Sequence, residues 1–259
     1  MDRLGMTALG MAAVRAMESK RADRLFDDPQ AQLFLDAMPG AFDQYFTSDT
    51  KSLGAMFAAH GAIRTRFFDD FLLGAGCRQV VLLAAGLDTR AFRLDWPAGV
   101  HLFELDVPDV LAFKEPVLAH HEPRCVRITV PADLRTDWPT RLIAAGFSPT
   151  TPTAWLAEGL LIYLAATEAT NLLQAITEKL SPGCKLAFEH SQADQLRTRA
   201  SAMPSMHDFT EMWKSDSDQD FVAWLVGHGW APEIHKEVSY GRSGYSGQFV
   251  TAEFTQNAN

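Results

Sequence analysis

The feature that most constrains the fold is a regular alternation of short β-rich runs with helical stretches in the middle of the chain. Segments long enough for helical crossovers separate five apolar runs: QVVLLA (79–84), VHLFELD (100–106), CVRITV (125–130), TAWLAE (153–158) and CKLAFEH (184–190). Strands that alternate with helices in this way form a parallel sheet covered on both faces. We therefore predict an α/β fold with a doubly wound, Rossmann-like sheet.

The two ends of the chain follow other patterns. Apolar residues at helical spacing predict three helices in the first part, the second starting behind Asp28 with Pro29 at its first position. Near the end, a helix over DFVAWLVGHGW precedes the runs EIHKEVSY and GQFVTAEF, which are close enough to pair antiparallel. Without repeats or linkers, the prediction is a single domain over 1–259, with a helical cover (1–76), a Rossmann-like core (77–259) and a variable insert (about 191–218).

Charge and cysteine content exclude several classes of protein. The net charge is −9 and no cluster of Lys and Arg occurs, which argues against nucleic acid or an anionic membrane as a partner. The three cysteines form no Cys-x-x-Cys pair, so we expect reduced, buried thiols and neither disulfides nor a metal site. Arg15 and Glu18 interrupt the first apolar stretch and no run is long enough to span a membrane, so a cytoplasmic location is expected.

The turn after the first predicted strand, AAGLDTR, has the features of a ligand-binding turn. Ligands of such sheets bind at the carboxyl ends of the strands, and Gly86 lets the backbone approach a ligand without a Cβ in the way. The second strand ends in FELD, which places Glu104 or Asp106 about 20 residues after the glycine, where an acid commonly binds ribose hydroxyls. This combination predicts a cofactor that contains adenosine.

The details of this turn favour S-adenosyl-L-methionine over a nicotinamide cofactor. Two of the three glycines of the Gly-x-Gly-x-x-Gly fingerprint are replaced, by Ala84 and Thr89. Asp88 lies where a helix would begin, so it either caps that helix or repels a pyrophosphate. A ligand with a sulfonium, an ammonium and a carboxylate fits better, and a nicotinamide-dependent reductase is kept as the rival enzyme class.

Long stretches of the chain carry a family resemblance. The motifs RTRFFDDFL, RQVVLLAAGLDTRAFRLDWP, FELDVPDVLAFK, ADLRTDWP and AEGLLIYL resemble the leucine carboxyl methyltransferase family, especially its bacterial branch associated with natural-product pathways. The resemblance implies a class I methyltransferase fold with a helical N-terminal lid. It also implies S-adenosyl-L-methionine as the cofactor and O-methylation, typically of a carboxylate.

The resemblance implies roles for residues around the amino-acid tail of the cofactor. Arg64 would pair with the methionyl carboxylate, Arg15 would be a second cation from the lid, and Glu158 would take the ammonium. The alternatives are Arg66 for the first of these cations, and Lys20 or Arg21 for the second.

A second group of residues would contact the methionyl moiety and the nucleoside of the cofactor. The backbone of Ala84 and Gly86 would lie beside the methionyl moiety, although the family usually has Gly at the first of these positions. Asp106 would bind the ribose hydroxyls, with Glu104 as the alternative. The resemblance assigns adenine recognition to the remaining pair, Asp133 and Leu134.

Arg135 and Tyr163 match family positions near the methyl acceptor, where a guanidinium and a phenol could hold a carboxylate of a small molecule or peptide. A carboxylate is already deprotonated at neutral pH, so its methylation needs no general base. A phenol or alcohol acceptor would benefit from a base, for which the sequence offers His190 and His207. A cofactor-binding module without catalytic activity remains the rival outside the enzymes.

Overall fold

The structure is a computed structural model that describes residues 3–41, 51–178, 180–189, 211–214 and 220–255. Its helices are α1 (Arg3–Ser19), α2 (Pro29–Ala37), α3 (Lys51–Gly74), α4 (Arg90–Arg93), α5 (Pro108–Leu118), α6 (Trp138–Ala144), α7 (Ala166–Thr177) and α8 (Phe221–Gly227). Its strands are β1 (Gln79–Leu83), β2 (His101–Asp106), β3 (Val126–Pro131), β4 (Thr153–Ala157), β5 (Lys185–Glu189), β6 (Trp230–Val238) and β7 (Gly247–Phe254).

The strands form one seven-stranded sheet in the order β3-β2-β1-β4-β5-β7-β6. Strands β1 to β5 pair in parallel, while β7 pairs antiparallel with both β5 and β6. This confirms the predicted doubly wound α/β sheet with its antiparallel C-terminal pair. The strand order reverses between β1 and β4, and crevices at such a reversal are the usual ligand sites of open parallel sheets.

Helices cover both faces of the sheet. On one face, α1 to α5 contribute buried side chains such as Leu9, Phe34 and Phe68 to a core over β1, β2 and β4. On the other face, α6, α7 and α8 pack around Trp155 and Leu186. The three N-terminal helices therefore lie against the same face of the sheet, and their polar residues can reach its carboxyl edge.

Several local features differ from the expectation. The crossover after β1 contains only the four-residue helix α4, and the indole of Trp96 donates to the Arg90 carbonyl at 2.8 Å just beyond it. Of the three free cysteines, Cys184 is buried as expected, but Cys77 and Cys125 are only half-buried. None of the helices in the described ranges combines the length and apolar character that crossing a membrane requires.

Candidate active site

The turn after β1 is bound to the end of β2 through Asp106. The Gly86 amide donates to Asp106 Oδ2 at 2.6 Å, and the Val107 amide donates to Oδ1 at 2.7 Å. Gly86 has a φ of 52°, and a Cβ added there would lie 3.2 Å from the Cβ of Ala8 on α1. The lid helix α1 thus packs directly over this turn, as the glycine allows.

The alternative acid, Glu104, has a different function in the fold. Residues two apart on a strand point to the same face, so Glu104 and Asp106 lie on one face of β2. Asp106 is the last residue of the strand, and Glu104 lies two residues farther from the carboxyl edge. It is fully buried, and its Oε2 accepts from Lys114 Nζ and Arg127 Nη2, both at 2.7 Å. Burial raises the pKa of Asp106, and the amide of Gly86 opposes this. Asp106 is therefore the acid at the edge of the sheet.

Arg64 on α3 lies between two acids from neighbouring strands. Its Nε donates to Glu158 Oε1 at 2.8 Å, just after β4, and its Nη1 donates to both oxygens of Glu189 at 3.1 and 3.2 Å, at the end of β5. Burial acts against the charge of Arg64, but the two carboxylates raise its pKa above the usual value. The alternative, Arg66, is more exposed and contacts Asp70 at 3.0 Å.

Further buried charges extend this cluster toward α4. Arg90 contacts Glu158 Oε2 at 2.7 Å and Asp69 Oδ1 at 2.7 Å, and it also pairs with Asp88. Arg93 contacts the two oxygens of Asp69 at 2.6 and 2.7 Å. Asp88 accepts from the Arg90 amide at 2.7 Å, whereas the residue at the N-cap position is Thr89. Glu158 therefore has an arginine on each of its two oxygens.

Arg15 connects the lid to the same turn. Its Nε donates to Asp28 Oδ2 at 2.7 Å and its Nη2 to the Leu87 carbonyl at 2.6 Å. The alternatives lie on the surface, where Lys20 donates to Gln32 and Arg21 donates to Asp23. Of these three cations, Arg15 is the one that the structure places beside the turn after β1.

The loop after β3 carries the residues predicted to bind adenine. The Ala132 amide donates to the Asp106 carbonyl at 2.8 Å, so this loop adjoins the acid predicted to bind ribose. Asp133 and Arg135 form an ion pair with Nη2 and Oδ2 2.6 Å apart, and the hydrogen bond from Arg135 lowers the pKa of Asp133. Leu134 packs against the core from a partly buried position.

Tyr163 lies in a short 3₁₀ turn, Leu161–Tyr163, after β4. Burial raises its pKa, while hydrogen bonds with Thr7 on α1 and with Trp213 act in the opposite direction, as does the charge of Arg64. The phenol is thus positioned between the lid and the Arg64 cluster. The predicted residues His190 and His207 lie outside the described residues, as does most of the variable insert.

The sequence analysis missed two residues of the site, Glu189 and His60. Glu189 is the last residue of β5 and Glu158 directly follows β4, so the rule that places acids at strand ends could have identified Glu189. His60 lies one helical turn before Arg64, with its Nε2 3.4 Å from Glu189 Oε1. Within the described part of the chain, no cluster of three or more His, Cys, Asp or Glu side chains could hold a metal ion.

Comparison with known proteins identifies the family. The model of the leucine carboxyl methyltransferase family matches residues 8–177. The chain belongs to the leucine carboxyl methyltransferase family. A relative from Parafrankia sp. (strain EAN1pec), provisionally named an S-adenosyl-L-methionine-dependent methyltransferase, is 47% identical over 270 aligned residues, which cover 96% of this chain and 87% of that protein.

Solved structures of low sequence identity share the fold of this methyltransferase. A DUF574 family protein from Streptomyces avermitilis superposes with a TM-score of 0.62 at 14% identity, over 93% of this chain and 96% of that one. Magnesium protoporphyrin IX methyltransferase from Synechocystis PCC 6803, solved with bound S-adenosylhomocysteine, has a TM-score of 0.50 at 12% identity, over 88% and 100% of the two chains. Our chain is an S-adenosyl-L-methionine-dependent methyltransferase.

The residues present suit this cofactor. Asp106 places two carboxylate oxygens at the sheet edge, where the predicted ribose hydroxyls could donate to them, next to a glycine whose missing Cβ lets α1 pack closely over the turn. The Arg64 cluster offers both signs of charge, as a zwitterionic amino-acid tail requires. The individual roles of these residues in cofactor binding remain predictions.

Proposed function

We propose that this methyltransferase methylates a carboxylate oxygen of a small molecule or a peptide and so forms a methyl ester. The family match over residues 8–177 carries the proposal, because it includes both predicted acceptor residues, Arg135 and Tyr163. Bound S-adenosyl-L-methionine supplies a methyl group on a positively charged sulfur. When the methyl group is transferred, the sulfur keeps the bonding electron pair and becomes a neutral thioether. A carboxylate arrives deprotonated at neutral pH, so the protein needs to orient it and exclude water.

Arg135 is well suited to accept a new carboxylate partner. Its side chain is 55% exposed and is paired with Asp133. A surface ion pair of this kind contributes only about 0–1 kcal/mol, so exchanging its acid for the substrate costs little. Arg64 and Arg90, in contrast, have largely buried side chains that each contact two or more acids.

A second candidate function is methylation of a phenol or alcohol. The observation in its favour is the pair of His60 Nε2 and Glu189 Oε1, 3.4 Å apart beside Arg64. A histidine oriented by a carboxylate can take the proton that a hydroxyl loses when it is methylated. A carboxylate acceptor loses no proton, so the two functions differ in their need for His60.

The test is to incubate the protein and cofactor with paired acceptors: an acid, its primary amide and a matched phenol. Carboxyl methylation predicts a gain of one methyl group on the acid alone, in a product that mild base hydrolyses. A base-resistant product on the phenol, with activity that requires His60, would support the second candidate instead. Binding of S-adenosylhomocysteine without methylation of any acceptor would favour a non-catalytic module.

A matched pair of arginine variants tests the acceptor role. Arg135→Ala should raise KM for the acid, because a guanidinium that binds it is lost. Arg124→Ala is the control, because Arg124 is 53% exposed and has a similar ion pair, 2.6 Å from Asp95. Equal effects of the two variants on KM would remove the support for Arg135.

A further inference from the structure

We propose that Glu189 is a positioning residue for the amino-acid tail of the cofactor. It would hold the guanidinium of Arg64 and the Gly159 amide in the arrangement that receives this tail. The inference builds on S-adenosyl-L-methionine as the cofactor and on the predicted pairing of Arg64 with the methionyl carboxylate. It does not depend on the nature of the methyl acceptor.

Glu189 joins three elements at the carboxyl edge of the sheet. Its Oε2 accepts from the Gly159 amide at 2.7 Å, and both of its oxygens accept from Arg64 Nη1. His60 Nε2 lies 3.4 Å from Oε1. The side chain is 22% exposed, so these contacts are made mostly out of water, where hydrogen bonds to a charged group are strong.

Two acids are required to fix the plane of the Arg64 guanidinium. Glu158 contacts only Nε and is shared with Arg90, so by itself it leaves the whole guanidinium plane of Arg64 free to turn about that contact. Glu189 holds Nη1 from a neighbouring strand, and the two contacts together determine where Nη2 points. Bidentate recognition of a carboxylate depends on such a fixed, planar fork.

Gly159 allows the loop after β4 to approach this arginine. Its φ of 61° is in the left-handed region, and a Cβ there would lie 3.3 Å from Arg64 Nη1. The hydrogen bond from its amide to Glu189 fixes the residue next to Glu158, the predicted partner of the ammonium. Glu189 therefore orients both predicted tail-binding side chains at once.

The charge state of Glu189 suits this role. Burial acts against ionisation, but Arg64 and His60 lower its pKa to about 2, so it stays ionised at every pH at which the protein would be assayed. Arg64 can then donate to an incoming carboxylate while the two acids supply the negative charge that favours an ammonium. A zwitterionic tail needs both signs of charge within a few ångströms.

The test compares two ligands that differ only in the tail. S-adenosylhomocysteine and 5′-methylthioadenosine share the nucleoside and the thioether, but the second lacks the amino-acid group. We expect Glu189→Gln to weaken S-adenosylhomocysteine binding by roughly 10- to 100-fold in calorimetry, because a charged acceptor of several hydrogen bonds is lost. The affinity for 5′-methylthioadenosine should stay within about twofold, since no tail is present to be positioned.

Two further variants define the comparison. Glu253→Gln makes the same change on an exposed residue of β7 and should alter neither affinity. Asp106→Asn, at the predicted ribose position, should weaken both ligands. If Glu189→Gln lowers the affinity for both ligands equally, or lowers neither affinity, the proposal is overturned.

A conservative variant answers the question if the glutamine variant does not fold. Glu189→Asp keeps the charge and withdraws it by one methylene, so it should weaken S-adenosylhomocysteine selectively and by less. Unchanged affinity for S-adenosylhomocysteine in this variant would contradict the proposal. Because neither ligand needs an acceptor, failure to find a methylated product would leave these binding results intact and would count only against the proposed function.

Discussion

Replacing Asp28 by alanine should destabilise the protein far more than the loss of a helix cap alone. Asp28 is fully buried and caps α2 by accepting from the Ala31 amide at 3.1 Å. Its Oδ2 also accepts from Arg15 Nε at 2.7 Å and from Thr89 Oγ1 at 2.6 Å. One carboxylate thus joins the lid helices α1 and α2 to the segment after β1.

The expected magnitude follows from these contacts. Losing an N-cap acceptor costs about 1 kcal/mol. Removing one partner of a buried ion pair costs about 3–5 kcal/mol, because the other charge is left without compensation. Arg15 keeps the Leu87 carbonyl as an acceptor, which limits the penalty, so we expect Asp28→Ala to lower the free energy of unfolding by about 3–4 kcal/mol in total.

Urea denaturation at equilibrium measures this change, and Asp220→Ala is a matched control. Asp220 caps α8 by accepting from the Ala223 amide at 2.9 Å, but it is exposed, so its loss should cost about 1 kcal/mol. The difference between the variants reports the buried contacts of Asp28 with Arg15 and Thr89. If Asp28→Ala is no more destabilising than Asp220→Ala, the pair contributes nothing and the reasoning is refuted.

Three other predictions concern the carboxyl edge of the sheet. Ala84→Gly should cost nothing or stabilise by up to about 1 kcal/mol in thermal unfolding, because Ala84 has a φ of 52°, whereas Ala157→Gly in β4 should destabilise by a similar amount. Gly86→Ala should weaken S-adenosylhomocysteine binding in calorimetry, because the added Cβ would lie 3.2 Å from the Ala8 methyl. Ala8→Gly in the same protein should restore part of the lost affinity, and no recovery would exclude that contact as the cause. The difference in the free energy of unfolding between the parent protein and Glu189→Gln should be constant above about pH 4.5 and should disappear as the pH falls toward 2, because the pKa of Glu189 in the folded state is lowered from 4.5 to about 2. A pH-independent difference in urea denaturation would contradict this.

The sequence predicted the fold well because its signals are local. Each predicted strand of the parallel sheet overlaps an observed one, with ends that differ by about one residue, since β-rich runs are bounded by polar or glycine-containing turns. The first crossover was the exception. Its helix α4 spans only Arg90–Arg93, because the following segment is extended and anchored by Trp96 rather than continued as a helix.

The candidate site was predictable only where topology alone brings residues together. Asp106 ends β2 and Glu158 directly follows β4, and these two parallel strands flank β1, so strand order places both acids at one edge. Glu189 contacts Arg64 because α3 packs with this arginine at the carboxyl ends of β4 and β5, a tertiary contact that no local pattern reveals. The ion pair between Arg135 and Asp133 is a further difference from the prediction, in which Asp133 binds adenine and Arg135 binds the methyl acceptor.

Buried charges connect the N-terminal helices to the carboxyl edge of the sheet. Each of the three lid helices contributes a buried charge near the turn after β1: Arg15 from α1, Asp28 at the start of α2, and Asp69 from α3. Water solvates separated charges well, so a buried ion pair gives up much less free energy on exposure than its Coulomb attraction suggests. Apolar surface gains no such compensation from water. The ion pairs between the N-terminal helices and the turn after β1 therefore stabilise the fold less than their Coulomb attraction suggests, and the buried apolar side chains of the same helices, such as Leu9, Phe34 and Phe68, hold them against the sheet.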